Sequence, residues 1–159
     1  MPRILIVDDA KIDRLLARRL LEKNPEFIIA QAEDGAVALA QMEELVPDAV
    51  VTDLQMPNVD GLVLVETIRR KYPYVPVVLM TAHGSEDVAV QALHLRANAY
   101  MQKPFKLAAL RAQVAALLAE GPRPEHLAER AQGLMDRLVE QLDSATDVAT
   151  RSNSLSVTG

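Results

Sequence analysis

The sequence predicts an α/β domain built on a doubly wound parallel sheet. Short β-branched runs at Arg3–Val7, Phe27–Ala32, Ala49–Asp53, Pro76–Thr81 and Ala99–Met101 are each followed by a longer segment with helical spacing. That alternation is expected of parallel strands joined by crossover helices. Each run is nearly continuously apolar rather than alternating, the pattern of a strand covered on both faces. With 50% of the 159 residues hydrophobic but only 3% aromatic, the core must be assembled from Leu, Val, Ala, Ile and Met.

The helices follow in order. The first carries Ile12, Leu15, Leu16 and Leu20 on one face, expected to be the buried one, and should end near Asn24-Pro25. The second follows Asp34-Gly35, where Asp34 reads as a turn former or helix cap, and presents Val37, Leu39 and Met42. The third presents Leu62, Val65 and Ile68 and stops before Tyr72-Pro73. The fourth offers Val88, Ala92 and Leu95, and the fifth Leu107, Leu110, Val114 and Leu117.

This core should occupy residues 1–120, and Gly121-Pro122-Arg123-Pro124 should break the chain as a linker. A further amphipathic helix is expected over residues 125–146, with Leu127, Ala131, Leu134, Leu138 and Leu142 in a stripe that Gln141 interrupts and Gly133 weakens. The stripe could fold back on the preceding domain, pair with a second chain as a homodimer, or begin an output domain. Residues 147–159, ending TRSNSLSVTG, are expected to be disordered.

Composition excludes several classes. There is no cysteine, hence no disulfide framework and no thiolate metal site. The formal charge is −5 with acids and bases interspersed, which argues against a nucleic-acid surface, because phosphate backbones need a concentrated basic face. The opening MPRILIVDDA is too short in its apolar run for a signal peptide. No run approaches the ~20 apolar residues of a spanning helix, so no membrane association and a cytoplasmic location are expected.

In an open α/β sheet, ligand chemistry gathers beyond the carboxyl ends of the strands. There the first strand ends in Asp8-Asp9, the third in Asp53, the fourth in Thr81-Ala82, and the fifth is followed by Lys103-Pro104. Carboxylates brought within ~4 Å of one another repel by roughly 4 kcal/mol per close pair at an effective dielectric near 20. Something must offset them. A hard divalent ion such as Mg²⁺ takes one or two protein carboxylates plus phosphate oxygens, and Asp9 and Asp53 would supply the former. Lys103 can reach a phosphate as a point charge, and the Thr81 hydroxyl can hydrogen-bond the same group. No Gly-rich phosphate loop is present, so the phosphoryl group is better placed on a protein carboxylate than on a nucleotide, with Asp53 as the nucleophile.

These residues resemble a known family. VDD at Val7–Asp9, VVTDLQMPNVDG at Val50–Gly61, MTA at Met80–Ala82 and YMQKPF at Tyr100–Phe105 are similar to the response-regulator receiver domain of two-component signalling, over about residues 2–119. The resemblance implies a flavodoxin-like fold of strand order 2-1-3-4-5, and transfer of a phosphoryl group to Asp53 from a sensor histidine kinase or phosphotransfer protein. It implies Mg²⁺ held by Asp9, Asp53 and the backbone carbonyl of Gln55, with Asp8 acting mainly through water. It makes Lys103 the phosphate-pairing cation and Thr81 and Tyr100 the switch pair, and it joins Lys103-Pro104 by a cis bond. Gln55 and His83 match positions that tune phosphoryl lifetime. A readout surface would surround Leu93, Tyr100 and Lys106.

Such a domain assists its own phosphorylation and dephosphorylation but is a signalling module rather than an enzyme. Two other classes fit less well. A haloacid-dehalogenase phosphatase would carry Asp-x-Asp after its first strand, and a flavin-binding flavodoxin would need a hydroxyl- and glycine-rich loop where DDAKID stands. His94 and His126 read as surface or interface residues.

Overall fold

The computed structural model describes residues 1–56, 58–82, 86–103, 108–121 and 124–154. Pro57, His83, Pro104, Phe105, Lys106 and Leu107, and the side chains of Val88, His126 and Leu127, lie outside the described residues. The chain divides into two compact units, Met1–Pro122 and Arg123–Gly159.

The first unit alternates strand and helix throughout: β1 (Arg3–Val7), α1 (Lys11–Leu21), β2 (Ile28–Ala32), α2 (Gly35–Glu44), β3 (Ala49–Asp53), α3 (Gly61–Lys71), β4 (Val77–Thr81), α4 (Glu86–His94), β5 (Ala99–Gln102) and α5 (Ala109–Glu120). The strands form one parallel sheet in the order β2-β1-β3-β4-β5, the flavodoxin-like arrangement. All five residues of β3 and of β4 are buried, which is why these runs read as unbroken apolar stretches.

Strand alternation divides the core in two. Leu5 and Val7 of β1, Val50 of β3 and Val77 and Leu79 of β4 pack with Ala38, Met42, Leu64, Val65, Ile68 and Ala92 under α2, α3 and α4. The intervening positions pack with Ala17, Leu21, Leu110 and Val114 under α1 and α5. Successive side chains of a strand point to opposite faces, so residues just past each strand end inherit a face from this parity.

Helix starts obey local chemistry. Asp34 accepts a hydrogen bond from Val37 N at 2.8 Å and Asp60 from Val63 N at 3.0 Å, capping α2 and α3 as short acidic side chains do. The α4 carboxyl end closes through Arg96, whose φ of 59° lets Ala97 N reach Ala92 O at 3.0 Å. Arg69 ties this end down. Its guanidinium donates to Arg96 O at 2.9 Å, Val75 O at 2.6 Å and Asn98 Oδ1 at 2.6 Å.

Three expectations change. The α1 face read as buried is so only at Leu20: Ile12 is 81% exposed, with Leu15 and Leu16 at 40% and 45%. Ala17 and Leu21 are buried beside Leu20, and α1 stops at Leu21. The second unit is a helix, α6 (Pro124–Ser154), longer than residues 125–146 at both ends. Pro124 fits the first helical position because its fixed φ suits a helix and its missing N–H would lack a partner there. At the other end, residues 147–154, expected to be disordered, are helical. Ala145 and Ala149 are strong helix formers, and the polar tract extends an existing helix rather than nucleating one. Along α6, Leu134, Met135, Leu138, Val139, Leu142 and Val148 are exposed. Among the described residues no helix is long and apolar enough to cross a membrane.

Candidate functional site

Register builds the site. Val7 lies beside Thr52 and Asp53 beside Met80, so the residue after β1 and the last residue of β3 emerge side by side. Parity puts Asp8 and Asp53 on the α1/α5 face, and Lys103, two residues beyond Met101, on the same face. A backbone bond from Lys103 N to Thr81 O at 2.7 Å carries the pairing of β4 and β5 past the strand end and places the lysine at the acids.

Asp8 is fully buried, Asp53 is 8% exposed and Thr81 is 1% exposed, whereas Asp9 is exposed. Lys103 Nζ lies 2.7 Å from Asp8 Oδ2, 2.9 Å from Asp13 Oδ2 and 3.8 Å from Asp53 Oδ1. Asp8 Oδ1 accepts from Ala10 N at 2.9 Å, and Asp53 Oδ1 from Leu54 N at 2.9 Å.

Burial pushes the Asp53 carboxyl up to about 6, since desolvation disfavours the charged form. Lys103 and the Leu54 N–H pull it down, while the charges of Asp8 and Asp9 add to the rise. Burial works against the ammonium of Lys103, but its bonds to Asp8 and Asp13 and the charge of Asp53 outweigh this and raise its pKa.

One carboxylate oxygen each from Asp8, Asp9 and Asp53 lies within 4.8 Å of the others. Lys103 supplies a single positive charge against these three acids and Asp13. The donor set is all oxygen, negatively charged in excess and open on one side through Asp9. That combination fits a hard divalent cation. Beside it lies an open cleft of about 510 Å³ lined by Asp9, Leu54, Gln55, Met56, Asp60 and Leu62, where Gln55 follows β3 as expected.

The loop after β3 is held tightly. A Cβ on Gly61 would stand 2.2 Å from Asp53 O and 2.7 Å from Leu54 Cα, so only glycine lets α3 begin this close to the end of β3. Gly61 N also donates to Leu54 O at 2.7 Å. Asn58, at φ 68°, reaches Asp34 Oδ2 at 3.3 Å and braces the loop against the start of α2.

Thr81 and Tyr100 have the opposite parity. Tyr100 packs against the α2–α4 side of the core, beside Leu79 in the register of β4 and β5. Its hydroxyl is buried with no hydrogen-bond partner among the described residues. Asp8, Asp53 and Lys103 therefore share one face of the sheet, while the expected switch pair lies toward the other.

The structure thus brings Asp8, Asp9, Asp53 and Lys103 together, with Thr81 at the same rim, Gln55 in the adjoining cleft and Tyr100 one strand away. Sequence reasoning missed Asp13, Arg14 and the brace from Asn58 to Asp34. Arg14 Nη1 donates to Asp8 O at 2.6 Å. An acidic residue in the first turn of the helix after Asp8-Asp9 was a visible signal for Asp13, but its link to Lys103, 90 residues away, exists only in three dimensions.

A family model described as the response regulator receiver domain matches residues 4–115. The chain is 34% identical over 104 residues to chemotaxis protein CheY of Bacillus subtilis (strain 168), covering 65% of this chain and 87% of that protein. It is 42% identical over 117 residues to transcriptional regulatory protein PrrA of Mycobacterium tuberculosis, covering 74% of this chain but only 50% of that protein. The chain thus spans about half the length of that curated relative. Among solved structures, a two-component response regulator of the LuxR family from Aurantimonas sp. SI85-9A1 matches with a TM-score of 0.71 and 30% identity, covering 87% of this chain and 99% of that one. The match over residues 4–115, on a sheet of the expected order with acids at the expected strand ends, shows that this chain belongs to the response regulator receiver domain family.

Proposed function

We propose that the chain accepts a phosphoryl group on Asp53 from a phosphohistidine of a sensor histidine kinase or phosphotransfer protein, in a Mg²⁺-dependent reaction. The observation that carries this reading is the position of Asp53: a nearly buried carboxylate at a strand end, between two further acids and a lysine ammonium. An Asp53 carboxylate oxygen attacks phosphorus, a P–O bond forms, the P–N bond breaks, and the imidazole leaves with its electron pair. The transition state is loose and its charge sits on the equatorial oxygens, so the protein contributes mainly alignment and electrostatic stabilisation.

Asp9, Asp53 and the backbone carbonyl of Gln55 would hold the metal, with Asp8 acting through water. When bound, it supplies positive charge against the phosphoryl oxygens. Lys103 supplies a second charge, and the Thr81 hydroxyl a hydrogen bond to the phosphorylated side chain. Ile12, Leu15 and Leu16, exposed on α1 next to the acids, offer the donor protein an apolar landing surface.

Modification then shifts a two-state equilibrium. Reversing a 1:99 ratio takes roughly 5.5 kcal/mol of differential interaction, a good part of which a doubly charged group held by Lys103 and Thr81 can supply. Tyr100 is suited to relay the shift, because its hydroxyl is buried without a hydrogen-bond partner among the described residues. The readout surface is α4, β5 and α5, where Val90 and Leu93 are already exposed.

Intact-mass measurement after incubation with acetyl phosphate tests the reading. One added phosphoryl group is expected on the wild type with Mg²⁺, and none with a chelator or on Asp53→Asn. Equal labelling of the variant would overturn the acceptor assignment.

A further inference from the structure

We infer that Asp13 is a positioning residue that holds Lys103 in the resting state and must release it when a phosphoryl group arrives on Asp53. The inference rests on the phosphoacceptor reading above and assigns a regulatory contact within the same site. Asp13 stands in the first turn of α1, on the helix that covers the face shared by Asp8, Asp53 and Lys103. Its Oδ2 is 2.9 Å from Lys103 Nζ, nearly as close as Asp8 Oδ2 at 2.7 Å, whereas Asp53 Oδ1 is 3.8 Å away. An ammonium has three N–H donors. Two of them are directed at Asp8 and Asp13, and the proposed acceptor is left at Coulombic range, beyond hydrogen-bond distance.

The two partners of Lys103 differ in kind. The Asp8 side chain is fully buried, so that pair is enclosed and its loss would strand a charge. The Asp13 side chain is 41% exposed, so water can replace the lysine there at little cost. When Asp53, with at most one negative charge, becomes an aspartyl phosphate with about two, Asp13 is the contact that gives way. Its carboxylate then turns to solvent while Lys103 keeps Asp8 and gains a phosphoryl oxygen, the stronger partner for an ammonium. Asp13 therefore acts as a releasable restraint that lowers the affinity of the resting site for a phosphoryl group.

Beryllofluoride, a stable mimic of the phosphoryl group, provides the test. Its affinity would be measured by calorimetry with Mg²⁺ for the wild type, Asp13→Asn and Asp13→Glu, with Glu26→Gln as a control of equal charge change away from the site. A partly exposed ion pair is worth between about 1.5- and 5-fold in an equilibrium constant, and Asp13→Asn is expected to bind the mimic tighter by that factor. Asp13→Glu and Glu26→Gln are expected to match the wild type. A second readout needs neither metal nor mimic. Acylation of Lys103 by an amine-directed reagent, followed by peptide mass mapping, should run faster in Asp13→Asn than in the wild type. Wild-type binding with no gain in Asp13→Asn, or unchanged Lys103 acylation, would overturn the assignment of Asp13 alone. A wild-type chain that fails to bind the mimic would overturn the phosphoacceptor reading and this inference with it.

Discussion

Replacing Asp53 with asparagine should stabilise the chain in the absence of divalent cations, by an amount that grows with pH. The Asp53 carboxyl is raised from 3.8 to about 6 by burial and by the neighbouring acids. Below the lower value it is protonated whether the chain is folded or not, and it contributes nothing to pH dependence. Between the two values the folded chain holds a proton that the unfolded chain releases, so stability falls as pH rises through this window. Above about 6 the full cost is present; at about 1.4 kcal/mol per pKa unit it comes to about 3 kcal/mol.

Asparagine removes the charge, and its Oδ1 can still accept from Leu54 N. For a domain of this size the gain corresponds to an increase of up to ~10 °C in Tm. Melts followed by circular dichroism in chelator, from pH 4 to pH 8, would show the two proteins converging at the acid end and separating toward neutrality. Millimolar Mg²⁺ should narrow the gap by stabilising the wild type, since a ligand that binds only the folded state adds to its stability. A variant no more stable than the wild type at pH 7.5, or a gap that shrinks with rising pH, would refute the reasoning.

Lys103→Met leaves the fully buried Asp8 without its counter-charge and should cost about 3 kcal/mol in urea unfolding; a loss below 1 kcal/mol would show that Asp8 is otherwise compensated. Gly61→Ala forces a Cβ to within 2.2 Å of Asp53 O, and the displaced loop should cost about 1–3 kcal/mol and reduce acetyl phosphate labelling. Unchanged labelling would count against the tight loop as a requirement. Tyr100→Phe deletes a buried hydroxyl with no hydrogen-bond partner among the described residues and should raise stability by about 1 kcal/mol, which a fall in the urea midpoint would contradict.

The sheet was legible because its strands are buried on both faces. Ala49–Val51 and Val77–Met80 are unbroken apolar runs, so run length and turn chemistry located them. The acid cluster was legible for a related reason: parallel strands end at one edge, and adjacent Asp8-Asp9, Asp53 and Lys103 each follow such an end. The orientation of α1 was not. Leu20 continues helically into Ile12 and Leu16 on one side and into Ala17 and Leu21 on the other, and periodicity cannot say which stripe meets the sheet when both are apolar. The end of α6 was misread because its polar residues suggest disorder, yet they continue a helix already nucleated upstream. Contacts between distant elements, such as Asp13 with Lys103 and Asn58 with Asp34, leave no trace in local spacing.

The central claim is that Asp53, among the crowded acids, is the one that takes phosphorus. Chemical reduction locates it: borohydride converts an aspartyl phosphate to homoserine while leaving free carboxylates untouched, and tandem mass spectrometry then reads the position. After incubation with acetyl phosphate and Mg²⁺, homoserine is expected at position 53 and at no other aspartate. Homoserine at position 8, 9 or 13, or at none, would contradict the account.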